Sequence, residues 1–327
     1  MSHIFDALQR SEVEYSGTDR SALLDATAMV RRAEHRAASK WDGAVLTGPD
    51  VTGGADLEEP LNVAGEQRAK TTSKPPSTPV LSEVASRQDA FSRFRSLQVS
   101  LSPQSRLVSL TDSGSPAAEA FRLLGVRLRN LRRDRALKKV LITSTIPQEG
   151  KSMVAANLAC TLALKTKQRI LILEGDVRRP SLSQMFGIGK NTGLCEWLES
   201  DRSLTDCIYH LEGPDLWILP SGSAPSNALE LLQSGKLSSL MDQLTAWFDW
   251  IIIDTPPVLP LADTSVWMRL VDGILLTTRQ GTTEKRQLQR GLEAIEPTKL
   301  IGALVNSSKN AAASDYYYTP ATIRQND

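Results

Sequence analysis

The chain has 327 residues, 41% of them hydrophobic, enough for one sizeable α/β core with further segments attached. With 38 Lys and Arg against 37 Asp and Glu its net charge is +1, which argues against a general nucleic-acid-binding surface, because such a surface shows a clear basic excess. Three cysteines without a C-x-x-C pair suggest neither a disulfide framework nor a thiolate zinc site and fit a reducing cytoplasm, and no apolar run approaches the length of a membrane span.

In chain order, residues 1–104 read as a mostly disordered tail and linker. Two stretches in it have helical spacing: residues 2–14, with Ile4, Phe5 and Leu8 on one side, and residues 21–41, with Leu23, Ala26, Val30, Ala33 and Ala37. Residues 42–88 are rich in Gly, Pro, Ser, Thr and acidic residues and bury too little apolar surface to offset chain ordering. The stretch Met1 to Arg10 lacks the apolar region expected of a signal peptide.

From about residue 105 strand-like and helix-like patterns alternate. Residues 106–111 read as a strand, 116–133 as a helix, 140–144 as a buried strand and 151–166 as a helix. Further strands are expected at 169–173, 216–219, 250–254, 273–277 and 301–305, with helical stretches at 226–247 and 284–295. The alternation predicts an α/β domain over 105–308, a mostly parallel sheet with helices on both faces, followed by a flexible tail over 309–327.

Between the strand at 140–144 and the helix after it lies Thr143-Ser-Thr-Ile-Pro-Gln-Glu-Gly-Lys-Ser152. A strand-to-helix turn of this kind aims backbone N–H groups and the positive helix end at an anion. Lys151 is placed to reach the β- and γ-phosphates of a nucleotide and Ser152 to meet Mg²⁺. The strict G-x-x-x-x-G-K-[ST] pattern is not met, since Thr145 takes the place of the first glycine.

Two apolar strands end in acids. Ile170-Leu-Ile-Leu173 runs into Glu174, Asp176 and Arg178 at alternate positions, and Trp250-Ile-Ile-Ile253 runs into Asp254. Ligands of open parallel sheets sit beyond the carboxyl ends of the strands, so these acids can meet a metal beside the phosphates. Asp254 is the expected ligand of Mg²⁺ or its water, and Glu174 or Asp176 the group that orients or deprotonates the nucleophile. Asp263 reads as a helix cap.

Together, these motifs resemble those of the bacterial tyrosine kinases of capsule and exopolysaccharide assembly, which use a P-loop ATPase fold. The resemblance covers about residues 105–320 and rests on Ser144 to Ser152, Leu171 to Arg178 and Ile251 to Pro257, in that order, with Glu119-Ala-Phe-Arg122 on the preceding helix. It implies an ATP- and Mg²⁺-dependent protein-tyrosine kinase. The nucleotide site would be Pro147, Gln148, Glu149, Gly150, Lys151, Ser152, Met153, Arg178, Arg279 and Asn306. Lys151, Glu174, Asp176 and Asp254 would be catalytic, and Ser152, Asp176 and Asp254 would hold the metal. Thr277 joins Arg279 and Asn306 as candidates for the base or ribose pocket.

The same resemblance makes Tyr316, Tyr317 and Tyr318 phosphate acceptors and Glu119 and Arg122 part of a homo-oligomeric ring interface. It also implies a cytoplasmic protein recruited to the inner face of the membrane by an anchored co-polymerase-like activator, with a tyrosine phosphatase as a further partner and no nucleic acid. Three positions depart from the family pattern: Gln148 stands at its usual glycine, Glu174 at its first aspartate and Gly125 at its second interface arginine. A catalytically weak ATP-binding scaffold is therefore an alternative. So is an organising ATPase like those of plasmid partition and division-site placement, although Ile146 occupies the place of their signature lysine.

Overall fold

Three nearly uninterrupted apolar runs form the middle of the sheet, because strands covered on both faces have no solvent side on which to place polar residues. These are β2 (Lys139–Ser144), β3 (Ile170–Glu174) and β6 (Trp250–Asp254), buried at every position except Lys139. The structure, a computed structural model, describes residues 91–102, 105–164, 167–223, 225–259 and 262–306. The expected N-terminal helices, the 42–88 linker, the C-terminal tail and Tyr316 to Tyr318 lie outside the described residues.

Among the described residues the sheet has eight strands. The others are β1 (Arg95–Gln98), β4 (Tyr209–Glu212), β5 (Leu216–Leu219), β7 (Gly273–Arg279) and β8 (Leu300–Asn306), and the order is β1-β4-β5-β3-β6-β2-β7-β8. All neighbours are parallel except β4 and β5. Successive side chains of a strand point to opposite faces and so feed two separate cores. Leu141, Leu171, Leu173, Ile251 and Ile253 enter one, and Val140, Ile142, Ile170, Ile172 and Ile252 the other.

The helices follow from their faces and ends. On the second core lie α1 (Val108–Thr111), α2 (Pro116–Asp134), α3 (Lys151–Ala163) and α4 (Leu182–Phe186). Ser115 caps α2, its Oγ accepting from the Ala118 N–H with Pro116 at the first helical position. From Val154 to Ala163 every residue of α3 is buried, between the sheet and α2. The first core is covered by α5 (Leu194–Glu199), α6 (Ala228–Leu232), α7 (Lys236–Trp247), α8 (Asp263–Leu270) and α9 (Lys285–Glu293). Among the described residues no helix is long and apolar enough to cross a membrane.

Cys160, Cys195 and Cys207 are buried and unbridged. Burial pushes their thiols up to about 12, 12 and 11 respectively.

Three expectations are corrected. Residues 106–111 are a turn and the short helix α1, not a strand, because this segment packs on α3: Leu107 is fully buried, and Ser109 donates its N–H to Asn157 Oδ1 at 3.2 Å and pairs with Thr161 at 2.8 Å. The stretch 226–247 is two helices rather than one, split at Gly235, whose φ of 77° an α-helix cannot contain. The folded unit also starts before residue 105, since β1 runs parallel to β4 and forms the sheet edge.

Candidate active site

Register brings the acidic strand ends together. Glu174 lies opposite Asp254 across β3 and β6, and Ile142 opposite Asp254 across β2 and β6, so the phosphate loop leaving β2 passes directly by the end of β6. Gly175 N–H donates to the Asp254 carbonyl at 2.7 Å. A Cβ on Gly175 would lie 3.0 Å from that carbonyl and from the Trp267 ring, so a larger residue would require these neighbours to give way.

The loop is shaped by its own residues. Gly150 has φ 90°, and a Cβ there would lie 2.1 Å from Asn306 Nδ2, which donates to the Glu149 carbonyl at 2.9 Å. Gln148 holds φ 67°, a left-handed conformation uncommon outside glycine, and its carbonyl accepts from Arg279 at 3.4 Å. The Glu149 side chain turns inward and is fully buried: Oε2 accepts from the Ile146 N–H at 2.8 Å, while Oε1 accepts from Thr283 and, at 3.4 Å, from Thr278. The Glu149 side chain thus braces the loop from within. Nothing in the local sequence marks Thr283 as a brace of this loop; it is found through the fold alone.

Lys151 sits between two carboxylates, 2.9 Å from Asp176 Oδ2 and 3.5 Å from Asp254 Oδ1, with Ser152 Oγ accepting from it at 3.1 Å. Burial pulls the ammonium down, but Asp254 and Asp176 together overcome this and hold its pKa above the ordinary lysine value. Burial pushes Asp254 up to about 6, against the attraction of Lys151. Asp254 is completely buried, yet its Oδ2 has no hydrogen-bond partner. An orphaned carboxylate oxygen beside a serine hydroxyl and a second carboxylate is a hard-oxygen donor set that fits Mg²⁺.

The structure separates the two acids of the 174–176 segment. Asp176 faces Lys151 and also accepts from the Arg179 N–H at 3.0 Å. Glu174 is fully buried and committed elsewhere: Oε1 accepts from the Leu182 N–H at 2.6 Å, and Oε2 from Ser221 N–H at 3.0 Å and Ser183 Oγ at 3.2 Å. Arg178 forms a fork on Asp263, at 2.6 and 3.2 Å, and this pairing holds its pKa above the usual value. Asp263 is the first residue of α8 and an anchor for Arg178 rather than its cap. Thr277 is buried beside Ser144 in the β2–β7 pairing. Pro147 precedes the strained turn, and Met153 begins the part of α3 that packs on the second core.

Glu119 and Arg122 pair with each other on α2, Arg122 also donating to the Ser113 carbonyl at 2.7 Å. Beside them Leu123 and Val126 are 53% and 46% exposed. Gly125 is buried against α3, where a Cβ would meet Leu162 at 3.6 Å and Thr161 at 3.7 Å, so this position faces the core and not a neighbour.

A parallel sheet with a phosphate loop after β2 and acids closing β3 and β6 defines a P-loop nucleotide-binding protein. A family model described as "AAA domain" matches residues 147–298. Tyrosine-protein kinase YwqD of Bacillus subtilis (strain 168) is 34% identical over 217 residues, 66% of this chain and 91% of that protein. The putative tyrosine-protein kinase CapB of Staphylococcus aureus is 30% identical over 206 residues, 62% and 90% of the two chains. The crystal structure of the chimerical protein CapA2B2 superposes with a TM-score of 0.58 at 30% identity, over 67% of this chain and 97% of that one. The chain belongs to the bacterial tyrosine-protein kinases of the P-loop type, and is a nucleotide-binding protein-tyrosine kinase.

Proposed function

We propose that this kinase transfers the γ-phosphoryl group of ATP to Tyr316, Tyr317 and Tyr318 of a neighbouring copy, and so regulates polymerisation and export of a capsular or exopolysaccharide. The observation that supports this best is Lys151 bracketed by Asp176 and Asp254 with Asp254 Oδ2 unpartnered. In this reading the loop amides from Pro147 to Met153 and Lys151 hold the triphosphate, with Arg178, Arg279 and Asn306 as further nucleotide contacts. Ser152, Asp254 and Asp176 hold Mg²⁺, which when bound neutralises charge on the phosphates.

Asp176 takes the phenolic proton as the phenol oxygen attacks the γ-phosphorus, and the bond from that phosphorus to the β–γ bridging oxygen breaks. Lys151 stabilises the charge that develops on the transferred group and on ADP. Glu174 serves by holding the loop that carries Asp176. The face of α2 that bears Glu119, Arg122, Leu123 and Val126 is the ring contact. Each added phosphate brings nearly two negative charges, so phosphorylation of adjacent tyrosines loosens the ring. In this reading a membrane-anchored co-polymerase-like activator recruits the chain to the inner face of the membrane, with a tyrosine phosphatase to reset it.

The test is incubation of purified protein with Mg-ATP and the activator's cytosolic segment, followed by mass spectrometry of the tail. Phosphate on Tyr316 to Tyr318, lost in Lys151→Met, is expected. Unmodified tyrosines with ATP binding intact favour the catalytically weak scaffold, a reading that the strained Gln148 and the inward Glu174 make specific.

A further inference from the structure

The loop that carries Asp176 and Arg178 runs from the end of β3 to the short helix α4, and α4 is held from two sides. On one side is Glu174, through the Leu182 N–H and Ser183 Oγ. On the other is the segment that follows β1. Ser100 N–H donates to the Phe186 carbonyl at 3.1 Å, and Val99 and Leu101 pack on the core that contains Leu182 and Phe186. Gly187, which ends α4 with φ 64°, lies so close to this segment that a Cβ would come 1.9 Å from the Ser100 carbonyl oxygen. The contact is therefore backbone on backbone, with no side chain between.

Upstream, the same segment is anchored to the body. Phe91 packs edge-on against Phe94, Trp217 and Phe248, with Arg169 stacked 3.9 Å over its ring, and β1 pairs with β4. The segment from 91 to 101 is thus a strap, fixed at its start by aromatics and at its end by α4.

We propose that Ser100 and Gly187 are positioning residues for phosphoryl transfer: the strap fixes α4, α4 and Glu174 fix the 175–181 loop, and the loop holds Asp176 against Lys151. This rests on the phosphoryl-transfer reading above. The strap meets the acidic loop through α4, and that loop carries the proposed base Asp176 as well as Arg178, so loosening it is expected to slow the chemical step first and to weaken ATP binding to a lesser degree. A misplacement of about 1 Å at a reacting group can lower a rate about 100-fold, so a partial loosening is expected to have a smaller but measurable effect.

The full chain is compared with Ser100→Pro, which removes the N–H donor, with Gly187→Ala, whose methyl group collides with the Ser100 carbonyl, and with Ser100→Ala as a control that keeps the donor. Expected for the first two is a fall in kcat of about tenfold, with KM for ATP raised by no more than about threefold; Gly187→Ala, which also carries the cost of left-handed backbone, should lower the thermal midpoint more than Ser100→Pro does. Amide exchange at Leu182 and Ser221 should quicken while that of Ile251 and Ile252 does not. Ser100→Ala should behave as the parent. Unaltered exchange at Leu182 in folded Ser100→Pro, or a uniform rise at all four amides, overturns the proposal. Absence of tyrosine phosphorylation in the parent defeats the functional reading, but leaves the exchange result to decide on the strap.

Discussion

Asp254 can take up a proton at the place proposed for a dication, beside the Lys151 ammonium, and this gives the site a definite pH response. Free Asp254 protonates at about 6, and the protonated acid has to release its proton before it can ligate Mg²⁺. Proton and metal therefore compete: affinity for Mg-ATP is expected to be flat above pH 6 and to fall up to about tenfold for each unit below it. Isothermal calorimetry between pH 5 and 8 checks this, and Asp254→Asn should bind weakly at every pH without that slope. Lys151, Ser152, Asp176 and Asp254 were legible because motif spacing and strand ends place them. The inward turn of Glu149 and Glu174 was not, because a carboxylate's direction depends on donors such as Thr283 and Ser221, which lie 134 and 47 residues away in sequence.

At the scale of elements, strands buried on both faces were the most readable feature, since a run such as Ile251-Ile-Ile253 fits little else. The edge was the least: β1 and β4 are short, the exposed positions of β1 and the half-buried ones of β4 are polar, and β1 depends on a partner more than 100 residues away. A helix boundary set by one glycine was equally hidden within the helical pattern of 226–247. Gly235 has open space around it, so its conformation can be tested without steric conflict. Gly235→Ala is expected to destabilise by about 1 kcal/mol, through the cost of left-handed backbone alone, and Gly235→Asn by less. Urea midpoints at constant m-value measure the difference.

For the whole molecule, the exposed Leu123 and Val126 beside the Glu119–Arg122 pair carry the proposed ring contact. Leu123→Asp with Val126→Asp should leave stability within about 0.5 kcal/mol, as surface changes do, while abolishing the oligomer in sedimentation velocity and lowering phosphorylation between copies. A persistent oligomer in this double variant would move the contact to another face. The three cysteines bear on the molecule as a whole in another way. All lie inside the packed layers with thiols that resist ionisation, so oxidants and alkylating agents find no reactive thiolate on the folded surface formed by the described residues. Modification of these sulfurs becomes a clock of core opening.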